Sequence, residues 1–391
     1  MTSRQRVLTA LDHRQPDRVP IDLGSFHDAT LSIHTHHDLA GIFGGGFSGY
    51  NLYDWTLGMV YPDPRLLTQL HVDTRNVASG LGIHASLEDY YRAIGVREQA
   101  DGSLVQSDES GVPLYRKPRG SYGFQPAETF PRPLAGEPGR RRIEEQFRAP
   151  VVGGSDEELA RLAENARSLR RDTDCIVVGN FNTVPVLDLQ ELMGMEDFLL
   201  NCALHPDLMR FAAERLVESR LPAIERYYRA VGPWIDVAYC VGDDLADQRS
   251  PLISVASYRE LFKPVHRRII EAVRALTSAK IMFHMCGAAV TFLPHLIDIG
   301  VDIHNPVQTT AAGMDPAGLK REFGRDIAFW GAIDTQHILP FGTPEEVRSE
   351  ARRKIDSLGR DGGYVFAPCH NIQVGTPAAN IAAMYEEAAR G

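Results

Sequence analysis

Eight short apolar or β-branched runs recur along the chain, and most are followed by a segment of helical period; this alternation constrains the fold more than any other feature. The runs are 19–23 (VPIDL), 71–77, 173–179, 235–242, 280–286, 301–306, 326–333 and 363–369. Between the later ones, apolar residues recur at helical spacing over 187–200, 206–229, 257–276, 288–299, 315–323, 344–359 and 377–389. The start signal Thr343-Pro344-Glu345-Glu346 supports one of these: threonine caps, proline takes the first helical position, and the acids favour the positive end. Strand then helix, repeated eight times, predicts a single (β/α)8 TIM barrel spanning 1–391. A doubly wound open sheet is the alternative.

One stretch breaks the period. Residues 81–150 hold hairpin-like turns and then a Pro/Gly/Arg-rich run without a long helix, and are read as an insertion after the second strand, folded over one mouth of the barrel. The Gly-rich run 43–49 (FGGGFSG) lacks the Lys-Ser/Thr ending of a phosphate loop and reads as a turn. A formal net charge of −10 with no basic run argues against nucleic acid and leaves small molecules and proteins as partners. Five scattered cysteines do not make a disulfide framework, which suits a reducing, cytoplasmic setting. No stretch has the length and apolarity of a membrane span. The oligomeric state stays open, a homodimer included.

If the eight runs are barrel strands, their carboxyl ends carry an uneven chemistry. Asn180 follows the third; Asp243 and Asp244 follow the fourth; His284 and Cys286 end the fifth; His304 and Asn305 end the sixth; Asp334 follows the seventh; Cys369 and His370 end the eighth. Barrel active sites lie at this face because the βα loops converge there. His and Cys at i and i+2 on an extended strand point to the same side, so both can bind one ion. Cys369 can supply a third ligand, and two thiolates with one imidazole suit zinc with a fourth position left for substrate.

The plainer alternatives are specific. Cys175, Cys202 and Cys240, each alone, read as small buried hydrophobes. Asp243 and Asp244 are either the catalytic carboxylates, one of them a fourth ligand or a partner of the imidazole, or a helix cap or a solvated pair. His304 and His370 are substrate contacts, hydrogen-bond partners or simply loop histidines; Asn180, Asn305 and Asp334 are placed with them as substrate-binding residues. Four histidines, His27, His34, His36 and His37, follow the first strand and enter a helix; a substrate-facing or solvated segment is favoured there over a metal site. Phe283, Trp330, Tyr364 and Phe366 read as packing residues before pocket residues.

The segments RVLTALDHRQPDRVPIDL, GDDLADQRSPLIS, FHMCG, GVDIHNPVQ, WGAIDTQHILPFGTPEEV and GGYVFAPCHNIQVGTPAANIAAMYEEA resemble the uroporphyrinogen decarboxylase superfamily over the whole chain apart from 81–150. The resemblance implies a (β/α)8 barrel and one of two chemistries. The decarboxylases carry an arginine-rich segment after the first strand that holds the substrate's carboxylates, whereas residues 22–39 here (DLGSFHDATLSIHTHHDL) contain no arginine. The other branch, the cobamide-dependent methyltransferases, has a zinc pattern of His-x-Cys followed much later by Cys, which His284, Cys286 and Cys369 match.

That branch implies zinc-assisted methyl transfer between a small methylated substrate, such as a methoxylated aromatic undergoing O-demethylation, and a corrinoid (cobalamin-type) cofactor or corrinoid protein. The alternatives are transfer from methylcobamide to a thiol, a uroporphyrinogen-type decarboxylase using Asp243 or Asp244 without metal, and a non-catalytic tetrapyrrole-binding barrel.

Overall fold

The computed structural model describes residues 1–44, 49–77, 83–108, 110–121, 123–127 and 136–390. Each of the eight apolar runs lies where the barrel needs a strand. Seven form one parallel sheet in sequence order: Thr74–Asn76, Ile176–Thr183, Val237–Gly242, Lys280–His284, Ile303–Asn305, Ala328–Ile333 and Tyr364–Pro368. The segment 19–23 closes the ring. Ile21 makes a parallel bridge to Phe366. The Asp22 amide donates to the Phe366 carbonyl (2.9 Å), and on the other side the Asp73 amide donates to the Ile21 carbonyl (2.8 Å). The result is a (β/α)8 barrel.

Period-two alternation sorts the strand side chains into two apolar layers. Ile176 and Val178, Val237 and Tyr239, Ala328 and Trp330, and Val365 and Ala367 share one cluster with Val7 and Leu11. The last two come from the N-terminal helix Ser3–Leu11, which packs under the barrel. The alternate strand residues, among them Val177, Ala238, Ile281, Phe329 and Phe366, pack with the surrounding helices in the larger cluster. Those helices include Pro206–Val231 and Lys263–Arg274. Pro344–Leu358 starts at the expected signal: Thr343 accepts from the Glu346 amide, and the Glu346 carboxylate accepts from the Thr343 amide (2.7 Å). Phe283, Trp330, Tyr364 and Phe366 are all packing residues, at most 1% exposed.

One acid inside this apolar layer makes stability depend on pH. Burial pushes the Asp22 carboxyl up from the usual 3.8 to about 6, against hydrogen bonds donated by Thr74 (2.5 Å) and Trp330 Nε1 (2.8 Å). Between these two values the unfolded chain has lost the proton and the folded chain keeps it, so the contribution is full below about pH 4 and is lost as pH rises through about 6. The stability of the native protein relative to Asp22→Asn should therefore fall by about 3 kcal/mol between pH 3.5 and 7. Denaturant unfolding of both proteins across that range is the measurement, and parallel pH profiles would count against the assignment.

Two excursions stand on the barrel. The first combines residues from both sides of strand Thr74–Asn76 in a four-stranded antiparallel sheet, ordered Leu31–Ser32, Met59–Tyr61, Tyr50–Asp54, Ile83–His84. The second is a meander of Val96–Glu98, Leu104–Ser107, Pro113–Lys117 and Gln125–Pro126, followed by an eleven-residue helix, Gly136–Gln146. The stretch read as lacking a long helix thus contains one. Phe124 ties the two excursions together by packing on Trp55, with ring centroids 5.0 Å apart. The turn expected at 43–49 falls largely on 45–48, outside the described residues. All five cysteines are free thiols. Among the described residues no helix is long and apolar enough to cross a membrane.

Candidate active site at the barrel mouth

His284 is the last residue of its strand, and the sheet register places Asn305 directly beside it. The Asn305 side chain donates through Nδ2 to the Trp330 carbonyl (3.1 Å), which fixes the amide so that Oδ1 accepts from His284 Nδ1 (2.6 Å). The proton of His284 is then on Nδ1, and the lone pair of Nε2 faces the Cys286 sulfur at 3.3 Å.

Cys286 is held by its backbone: its amide donates to Asp244 Oδ1 (2.7 Å). The next residue explains the glycine of FHMCG. Gly287 has φ +79°, and a Cβ there would lie 2.5 Å from the Ala246 and Asp247 carbonyl oxygens. Only glycine lets the cysteine loop approach the loop that carries Asp244. Gly287→Ala should lower unfolding stability by about 2 kcal/mol, checked by denaturant unfolding.

Among the described residues, one group of His, Cys, Asp or Glu side chains has donor atoms close enough to hold a metal ion: His284, Cys286 and His370, all within 4.8 Å of one another. Bond lengths of about 2.1 Å to nitrogen and 2.3 Å to sulfur put ligand atoms ~3.5 Å apart on tetrahedral zinc, which the 3.3 Å His284–Cys286 separation matches. The donor set fits. The third member differs from expectation, because Cys369 turns its sulfur toward Thr335 Oγ1 (3.4 Å) while its neighbour His370 faces the cluster. Cys369 still lines the same 740 Å³ cavity as Cys286. Burial raises the pKa of both thiols, and for Cys286 the nearby Asp244, Asp28 and Cys369 add to the effect.

Behind the cluster sits a carboxylate that the sequence reading did not single out. Asp28 accepts from Tyr239 OH (2.9 Å) and lies 3.5 Å from His284 Nδ1, 3.7 Å from His370 Nε2 and 3.3 Å from His27 Nδ1. Burial opposes its charge, but His284, His27 and His370 hold its pKa well below the carboxylate range. His27 reaches Asp54 with its other nitrogen (2.9 Å). Burial lowers the His27 pKa, yet hydrogen bonds to Asp28 and Asp54 overcome this and raise it to about 10. The available signal was position: Asp28 follows the carboxyl end of the first barrel run by five residues.

The other predicted residues divide. A second cavity of about 670 Å³ is lined by Asp244, Asn180, His284 and His370. Asn305 lies behind His284 and acts on its ring. Three expectations are corrected. Asp243 faces away from the mouth, accepting from the amides of Val186 (3.0 Å) and Leu187 (3.1 Å) at the start of helix Pro185–Met193 and from His266 Nε2 (2.8 Å). Its role is structural because successive residues leaving a strand point to opposite sides. Asp334 is spent on the amides of Gln336 (2.8 Å) and His337 (3.3 Å), which cap a turn. His304 is wholly buried and lines neither cavity; burial lowers its pKa to about 3, so the ring is neutral. Of the four clustered histidines, His27 is in the mouth; His36 accepts from the Asp63 amide and His37 pairs with the Tyr50 hydroxyl.

Comparison with known proteins agrees with this architecture. Residues 238–390 match the family model described as uroporphyrinogen decarboxylase (URO-D). Uroporphyrinogen decarboxylase 2 of Arabidopsis thaliana is 29% identical over 146 residues, 37% of this chain and 34% of that protein. The solved structure of a methyltransferase from Methanosarcina mazei superposes over 100% of this chain and 99% of its own, with a TM-score of 0.60 and 17% identity. The chain is also similar to a methylated-thiol–coenzyme M methyltransferase of Methanosarcina mazei, 24% identical over 242 residues, 62% of this chain. The chain spans 58% of the length of that relative.

Proposed function

We propose that this barrel is a methyltransferase that moves a methyl group between a small methylated substrate and a corrinoid, free or carried by a partner protein. The observation that carries this reading is the imidazole–thiol pair at the mouth, His284 Nε2 and Cys286 Sγ 3.3 Å apart with further donors beside it. In the proposal these two hold zinc with Cys369 as third ligand, and His370 is the competing donor. Bound there, zinc would supply a Lewis acid for the leaving heteroatom of the methyl donor or hold a thiol acceptor as thiolate.

The chain's own residues would then do the following. Asn305 fixes the His284 tautomer, Asp244 positions the Cys286 loop, and Asp28 keeps the surrounding rings oriented. The cavity beside Cys286 and Cys369, with Phe341 and Val374 exposed at its edge, is the side from which a flat corrin ring would approach. The similarity to the Methanosarcina methyltransferases supports this reading, as does the missing arginine segment after the first strand.

The test is spectroscopic. Reduced cobalamin with a panel of methoxylated aromatics, then methylcobalamin with thiols, should change the cobalt spectrum in one direction or the other. An unchanged spectrum in both, with uroporphyrinogen losing carbon dioxide, would transfer the assignment to the decarboxylases.

A further inference from the structure

The two cavities meet at His370 but differ in character. The cavity on the His284 side, about 670 Å³, falls in the range of small-molecule sites. Tyr53, Trp55, Phe181 and Tyr239 contribute to its wall, and so do three carboxyl groups, Asp28, Asp54 and Asp244. Among its described lining residues there is no lysine or arginine; of its three imidazoles, His27 is already engaged by Asp28 and Asp54, and His284 and His370 face the metal cluster. Adding an ion does not reverse the balance. A dication, with the His27 charge, brings three positive charges against three carboxylates and the two thiolates of the proposed site, Cys286 and Cys369, so two negative charges remain in excess.

We propose that this cavity is the methyl-donor subsite and that it takes an uncharged or cationic methylated molecule with an apolar body, excluding anionic donors. The inference rests on the methyl-transfer reading above and adds the substrate's charge class to it. A carboxylate or sulfonate moved into the cavity loses its hydration and meets acids in place of a basic partner. A cation gains those acids together with the aromatic residues Tyr53 and Trp55 in the wall. The described lining of the 740 Å³ cavity likewise contains no lysine or arginine. An anionic thiol is therefore a poor acceptor on that side too, which favours transfer from substrate to corrinoid.

Matched probes test the assignment without requiring turnover. Calorimetric titration of the zinc-loaded full chain with 4-methoxybenzylamine, 4-methoxybenzyl alcohol and 4-methoxybenzoate should show the amine and alcohol binding and the benzoate at least tenfold weaker than the amine. The gap should narrow as salt rises from about 0.05 to 0.5 M. Leu187 lines the cavity and is 40% exposed, so Leu187→Lys adds a cation there without opening the core. That variant should tighten the benzoate and weaken the amine, each severalfold.

Benzoate binding as tightly as the amine to the native protein, failure of all three probes to bind, or a Leu187→Lys protein with unchanged preference would each overturn the proposal. If the charge order holds and no probe ever alkylates reduced cobalamin, the subsite stands and the methyl-transfer reading falls.

Discussion

Replacing His284 with alanine should reduce bound zinc from about one ion per chain to almost none and slow methyl transfer by about a thousandfold or more, with the fold intact. The size follows from losing a Lewis acid that contributes several kcal/mol at the reacting atoms. The intact fold follows from position: His284 ends its strand, and the sheet register below it runs through Lys280, Ile281, Met282 and Phe283.

The same experiment on the neighbours decides the third ligand. Cys369→Ser should lose most of its zinc, because thiolate is the softer donor and Cys369 is close enough for its charge to act on the Cys286 thiol. His370→Ala should keep its zinc and lose substrate affinity, since His370 lines both cavities. Full zinc in the serine protein and none in the alanine protein would assign the site to His284, Cys286 and His370. Elemental analysis of protein purified without added metal, beside circular dichroism, reads all three variants.

The barrel was legible because its signal is repeated: each strand is a short apolar run whose alternate residues face two different apolar layers, and an error at one run is outvoted by the other seven. His284 and Cys286 were legible for a related reason, since two residues apart on a strand fixes a common side. The excursions were less so. The sheet of Leu31–Ser32, Tyr50–Asp54, Met59–Tyr61 and Ile83–His84 draws on residues either side of a barrel strand, and long-range pairing of such short segments leaves no local period. Asp28 was missed because its place after the first run and beside His27 does not by itself show what it meets. Its importance comes from His284, His370 and Tyr239, which the chain brings to it from more than two hundred residues away.

The adjacent acids Asp243 and Asp244 show where reading residue types at a strand end fails, and they give the second large effect. Both follow the same strand, yet Asp243 is fully buried against the amino end of helix Pro185–Met193 while Asp244 is exposed on the cavity side. Burial pushes the Asp243 carboxyl up, against the hydrogen bond from His266. His266 Nδ1 lies 3.3 Å from the Tyr258 hydroxyl, so removing the carboxylate strands a buried ring along with two helix amides. Asp243→Ala should therefore cost about 3–5 kcal/mol of unfolding free energy. The protein that remains folded should keep its zinc and most of its methyl-transfer rate. Asp244→Ala should do the reverse: little change in stability, but weakened metal retention and slower transfer by roughly 10–100-fold, because the Cys286 amide loses its acceptor beside the ligand. Urea unfolding and single-turnover cobalt spectroscopy on the two variants separate these outcomes. A stable, inactive Asp243→Ala protein would return that residue to the chemistry and show that the reach of the site extends through the barrel wall to His266.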